Sequence, residues 1–177
     1  QKPHPTPVRV YGGLRKNLAN LREKGFGPGD ERFEDLVNRY DAEIVDIDRA
    51  LEALFNGLEE RKVLDRTLFV LTADHGEEFL EHGFLEHAWT LYREATHVPL
   101  IMWAKGMQSA RYGDPVAHVD LLATLGTLTS VSIPAAELDG RSLFVRDAGG
   151  FRYRPRAAPI ITELLIRHRS ILRSVRQ

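Results

Sequence analysis

The stretch Thr67-Leu68-Phe69-Val70-Leu71-Thr72-Ala73-Asp74-His75-Gly76 runs from apolar strand formers straight into an acid, an imidazole and a glycine. Residues 67–72 have the composition of a central strand covered on both faces. In α/β sheets, ligand-binding groups gather beyond the carboxyl ends of such strands, where a rigid element positions a loop. Asp74 and His75 can offer a hard oxygen and a neutral imidazole to one divalent cation, and Gly76 lets the backbone turn closely behind them. Taken alone, the triplet reads more simply as a helix start, with Asp74 capping at Gly76 and His75 exposed. The strand in front of it and a second cluster behind it, Glu81-His82-Gly83 followed by His87, favour the metal reading.

Four of the seven histidines fall between residues 75 and 97. His87 stands thirteen residues after Asp74, and Gly83 between them permits a reversal of the chain. A basic group there can swing back over a metal to meet an anionic substrate, stabilising charge or protonating a leaving oxygen. The other reading of His87, equally open, is a loop histidine bonded to a backbone carbonyl. His82 reads as a loop stabiliser, and His97, just before Val98, as a hydrogen-bonded support for the site. Glu77 and Glu78 are expected in a first helical turn, where carboxylates suit the helix dipole. His118 and Asp120 fit the N-terminal pattern of a helix better than a site, and Trp89 and Tyr92 read as packing residues of a short helix.

Outward from this centre, the chain alternates helix and strand patterns. Phe33, Leu36, Val37, Tyr40, Ile44, Ile47, Leu51, Leu54, Phe55 and Leu58 recur at three- and four-residue steps, predicting one long helix over 31–60. Asp30 is placed to cap it, and it is expected to cover a sheet. Val98-Pro99-Leu100-Ile101-Met102-Trp103 and Pro159-Ile160-Ile161-Thr162 are further strand candidates, and Val119 to Leu128 are spaced for a helix. This order predicts an α/β fold with a largely parallel sheet flanked by helices. Residues 1–30, with Pro3, Pro5, Pro7 and Pro28, read as an irregular lead-in carrying only a short helix at Leu14, Leu18 and Leu21. Residues 31–177 read as a partial domain.

Composition narrows the function classes. With 24 Lys+Arg against 25 Asp+Glu, net charge −1, the 177-residue chain gives no electrostatic reason to expect nucleic acid. The absence of cysteine excludes disulfides, thiolate zinc sites and a cysteine nucleophile within these residues. No apolar run suits a membrane span, no signal-peptide core is seen, and a start at Gln1 rather than Met is read as a piece of a longer protein.

Several blocks now stand in order: Tyr40-Asp41-Ala42-Glu43-Ile44, Leu64 to Glu77, Glu81-His82-Gly83 with His87, Leu91-Tyr92-Arg93-Glu94, His97-Val98-Pro99-Leu100-Ile101, Val119 to Leu125, and Leu138-Asp139-Gly140-Arg141-Ser142-Leu143. In this arrangement the chain resembles the sulfatase family of the alkaline-phosphatase-like superfamily over about residues 36–145, and weakly on to Glu163 and Arg173–Arg176. The resemblance implies that Asp74 and His75 are the second pair of ligands for a divalent metal, usually calcium, with manganese or zinc in relatives. It implies that His87 contacts sulfate or phosphate oxygens. Lys2-Pro3-His4 loosely resembles a segment holding another active-site histidine, which points to His4, or to Gln1 in its place.

The family's first two metal-ligand aspartates have no counterpart here. Nor has its nucleophile, a Cys or Ser converted to formylglycine in a Cys/Ser-x-Pro-x-Arg motif: the chain has no Cys, and no Ser stands in register with a Pro-x-Arg. The resemblance therefore implies an internal or C-terminal-side piece, a third to two-fifths of a sulfate-ester hydrolase, inactive by itself. Substrates would be small-molecule or glycan sulfate esters, and the family implies a periplasmic or secreted protein. The rival readings are a phosphonate or phosphate-ester hydrolase or a phosphoethanolamine transferase of the same superfamily, or a non-catalytic module. A sheet deprived of neighbours would also leave open edges, from which self-association or packing against the rest of the parent is expected.

Overall fold

A computed structural model describes residues 14–166 and 170–176; the expectations for His4 and Gln1 lie outside the described residues. In chain order the elements are α1 (Leu14–Glu23), α2 (Glu31–Glu60), β1 (Phe69–Thr72), β2 (Glu78–Phe79), β3 (Leu85–Glu86), α3 (Arg93–Thr96), β4 (Leu100–Trp103), α4 (Leu121–Thr129), β5 (Phe144–Asp147), β6 (Gly150–Tyr153), β7 (Ile160–Ile166) and β8 (Ser170–Arg176). They fall into two units. The first holds the described residues up to Leu64 together with Glu77–Glu86, and the second holds Asp65–Gly76 and the residues from His87 onward.

In the first unit, α2 begins where the sequence places it. The Asp30 carboxylate accepts from the Arg32 backbone N–H at 3.0 Å, filling one of the orphan donors of the first turn. The same carboxylate pairs with the Arg32 guanidinium at 2.8 Å, and that pairing holds Asp30 below the usual carboxylate range. Phe33 and Leu85 form the buried centre, with Leu21, Phe26, Leu36, Val37, Phe79 and Leu80 packed around them. Phe26 meets Phe33 edge to face, ring centroids 5.7 Å apart. Only the N-terminal turns of α2 are engaged in this way. Farther along, Ile44, Ile47 and Leu54 are 51%, 55% and 46% exposed, so much of the apolar stripe expected to cover a sheet is open.

The second unit does not show the expected parallel sheet. Among the described residues every strand pairing is antiparallel: β1 with β4, β5 with β6, and β7 with β8, with β2 and β3 likewise paired in the first unit. β1 and β4 align Phe69 with Trp103 and Thr72 with Leu100. The physical reason lies in the connection. A parallel pair needs a crossover, usually a helix of several turns, whereas β1 and β4 are separated by a hairpin and by the four residues of α3. The long helix precedes β1 and supplies no crossover. No helix among the described residues is long and apolar enough to cross a membrane.

A buried polar frame holds the second half of this unit. Thr124, fully buried on α4, donates its hydroxyl to the Asp120 carbonyl at 2.7 Å and accepts from the Leu143 N–H at 3.0 Å. The Asp120 carboxylate, 1% exposed, accepts from the Ala117 N–H at 3.3 Å and the Arg141 N–H at 2.9 Å, and it pairs with Arg156. Gly140 sits against this frame so tightly that a Cβ there would lie 1.8 Å from the Val119 carbonyl oxygen. Asp120 is thus more than the helix-start residue that its spacing suggests. It joins the turn before α4 to the chain that enters β5 and to the segment after β6.

Candidate active site

The site grows from the end of β1. All four residues of that strand are partly buried, and the backbone beyond Thr72 is fixed at Gly76, whose N–H donates to the Ala95 carbonyl at 2.9 Å. Gly76 is required for this approach, because a Cβ would lie 1.9 Å from the Glu94 carbonyl oxygen. Asp74 and His75 are held between these two anchors. The Asp74 Oδ1 accepts from the His75 backbone N–H at 3.0 Å. His75 Nδ1 lies 2.9 Å from the Gly76 carbonyl oxygen, which can only accept, so Nδ1 carries the proton. In the neutral ring Nε2 then presents its lone pair, the form in which imidazole ligates metals.

That lone pair faces Asp74, whose Oδ2 is 3.6 Å from His75 Nε2. Two ligands of one cation, each about 2.0–2.6 Å from it, stand roughly 3–4 Å apart at ordinary coordination angles. The Asp74 side chain is 89% exposed, so its oxygens are not committed to the interior. The donor pair fits half of a divalent site. Among the described residues no group of three or more His, Cys, Asp or Glu side chains is arranged to hold a metal ion.

His87 joins this pair. Its ring lies 4.0 Å from that of His75, centroid to centroid, tilted by 31°. The backbone on either side of it is in the left-handed region, with φ 71° at Glu86 and 69° at Ala88. Such conformations are unfavourable for residues with a Cβ and are kept where surrounding structure over-determines them. Asp74, His75 and His87 line one cavity of about 470 Å³, together with Thr72, Thr90, His118 and Glu163 among its polar residues.

Other sequence expectations divide. His97 caps the end of α3 through its backbone, is exposed, and is not among the residues lining the cavity. His82 lies in the turn between β2 and β3. Glu77 and Glu78 do not open a helix: Glu78, fully buried, and Phe79 form β2, paired with Glu86 and Leu85. Leu80 at φ 69° and Gly83 at φ 82° close that hairpin, and the Gly83 N–H donates to the Leu80 carbonyl at 2.9 Å. A tight reversal leaves no room for a helical turn. Trp89 and Tyr92 both precede the short helix α3 instead of packing within it, and Tyr92 is 43% exposed.

His118 is the cavity residue that spacing undervalues. Its Nε2 lies 3.3 Å from Thr72 Oγ1, at the end of the strand that delivers Asp74. No local pattern signals this, because His118, Val119 and Asp120 form a single 3-10 turn in which Val119 is exposed too.

A sequence model of the family described as Sulfatase matches residues 10–131, more than half of the chain. Arylsulfatase K of Homo sapiens is 24% identical over 147 residues, covering 82% of this chain and 26% of its own length. Arylsulfatase K of Xenopus laevis is 30% identical over 139 residues, covering 77% and 24%. The extracellular sulfatase SULF-1 homolog of Drosophila melanogaster is 31% identical over 98 residues, covering 55% and 9%. No solved structure matches significantly. The matched part of the chain spans about a quarter of the length of these arylsulfatases. The family match over residues 10–131 shows that this chain belongs to the sulfatase family, and with it to the α/β alkaline-phosphatase-like class.

Proposed function

We propose that the chain forms one wall of the active site of a sulfuric ester hydrolase. The observation that carries this reading is the placement of Asp74, His75 and His87 on a single cavity, with two metal-competent atoms 3.6 Å apart and the His87 ring tilted against that of His75. Asp74 Oδ2 and His75 Nε2 would hold a divalent cation, calcium by family resemblance, with the remaining ligands coming from outside the described residues. Bound there, the ion would polarise an ester oxygen and favour the ionised nucleophile. Gly76 orients the imidazole by accepting its Nδ1 proton, and Asp74 is steadied by the His75 backbone N–H. His87 would meet the anionic sulfate and either neutralise charge on its oxygens or donate a proton to the leaving oxygen.

The formylglycine nucleophile of the family has no counterpart in this sequence, so the chain by itself turns over no substrate in this reading. Its open α2 stripe and two-stranded sheets would then pack against the remainder of a sulfatase, or against a second copy, within a larger and partly parallel sheet. A periplasmic or secreted setting follows from the family alone.

The test uses the full-length protein that contains these residues. Asp74→Ala is expected to abolish saturable calcium binding by calorimetry and to lower aryl-sulfate turnover at least roughly a hundredfold, in line with the usual size of single electrostatic contributions. Unchanged calcium affinity in Asp74→Ala would overturn the metal assignment. An aryl phosphate hydrolysed in preference to the sulfate would move the reading to the phosphate-ester branch of the superfamily.

A further inference from the structure

We propose that a second cavity in the same unit, walled by Arg141, Arg154 and Arg156, binds a small oxyanion of the sulfate class. This cavity has a volume of about 230 Å³ and is lined by Asp120, Arg141, Ser142, Leu143, Arg154, Pro155, Arg156 and Ala157. It is smaller than the roughly 300–1,000 Å³ of pockets that take drug-sized ligands, which suits a compact ion or one charged substituent. Its charge is one-sided. Three arginines line it with a single carboxylate, Asp120, and that carboxylate is already paired with Arg156.

The walls are built rather than incidental. Arg156 is only 13% exposed; its Nε donates to the Ala158 carbonyl at 3.1 Å while an NH group reaches Asp120. Arg154 is fixed at both ends: its backbone N–H donates to the Leu143 carbonyl at 2.8 Å, and its guanidinium donates to the Ser142 carbonyl at 2.9 Å. The Arg141 backbone N–H is tied to Asp120 at 2.9 Å, which sets where its side chain leaves the loop. Beneath them Asp120, Thr124 and Leu143 are 1%, 0% and 3% exposed. Planar guanidinium forks held on such a frame recognise sulfate, phosphate or carboxylate oxygens through paired donors at little ordering cost. The turn Ala117–Leu121 also contributes lining residues to the cavity of Asp74 and His75, so the two cavities share a wall element.

The inference does not depend on the hydrolase reading and is tested apart from it. The 177-residue chain is titrated calorimetrically with sodium sulfate, ionic strength being held with sodium chloride, and separately with glucose 6-sulfate. One saturable sulfate site is expected, weakened roughly tenfold or more by Arg141→Ala and by Arg154→Ala. Arg141→Lys, which keeps the charge but loses the fork, should fall between and guards against a folding defect, checked by circular dichroism. Arg152→Ala, an exposed charge outside the cavity, should leave the affinity unchanged. Tighter binding of glucose 6-sulfate than of sulfate assigns the site to a substituent on a substrate, and the reverse order assigns it to the free ion. Absence of saturable sulfate binding, or equal weakening by Arg152→Ala, overturns the proposal.

Discussion

The α2 helix and the segment from Asp74 to His87 differ in where their structure is encoded. α2 is a local object. Its thirty residues, its cap at Asp30 and its apolar spacing all lie within one window of sequence, and the helix forms over Glu31–Glu60 as that window predicts. Most of its central apolar side chains nonetheless remain exposed. The residues around the site have the opposite character, with little regular structure and positions set by distant partners. Gly76 is pinned by Ala95, and Asp120 by Arg141 and Arg156. Local periodicity can therefore write an element without specifying what it packs on, while long-range contacts can fix a site that has no periodicity at all.

The strongest way to break this contrast is to cut the long-range frame. Asp120→Ala leaves Arg156, 13% exposed, without its carboxylate and removes the acceptor of the Arg141 N–H. Breaking a buried ion pair by deleting one partner typically costs about 3–5 kcal/mol, because a charge remains buried and uncompensated. Urea denaturation of the 177-residue chain, followed by circular dichroism, should show a loss of that size. A loss under about 1 kcal/mol would mean that the frame is not what holds the loops.

A smaller change sharpens the same point. Thr124→Val keeps the shape of a fully buried side chain but removes the hydroxyl that bridges the Asp120 carbonyl and the Leu143 N–H. An unsatisfied buried donor costs about 1–3 kcal/mol, so a midpoint shift in that range is expected in the same denaturation experiment. Sulfate affinity at the arginine cavity should fall with it, since Leu143 also accepts the Arg154 N–H.

How much of this was legible beforehand follows the same division. The α2 helix, its Asp30 cap and the strand leading to Asp74-His75 were readable because each is a local pattern. So was the pairing of Asp74 with His75, since adjacent residues need no tertiary information to be neighbours. The return of His87 to within 4.0 Å of His75 was readable only as an allowance made by Gly83. Strand direction was not readable, because a helix–strand–strand order does not say which helix makes a crossover. Glu77 and Glu78 were misplaced for a related reason: carboxylates suit a helix N-terminus, but the reversal at Leu80 and Gly83 gave them to a hairpin. Arg141, Arg154 and Arg156 form no motif in the sequence, and only folding brings them to one cavity beside a buried aspartate.

The smallest expected effect comes from the local side of the contrast. Ile47 is 55% exposed on α2, so Ile47→Lys removes little buried area and should change stability by no more than about 0.5 kcal/mol. What it should change is association. An exposed apolar row on a helix is a surface that water disfavours, and a charge in its middle carries a desolvation cost for any body that covers it. Sedimentation velocity of the chain across a concentration series is expected to show self-association that Ile47→Lys weakens, while the denaturation midpoint stays in place. If the wild-type chain sediments as a monomer at every concentration, the row is no self-docking surface. Covering by the rest of a sulfatase then remains the reading, and Ile47→Lys placed in the full-length protein should lower its thermal midpoint by more than it does in the isolated chain.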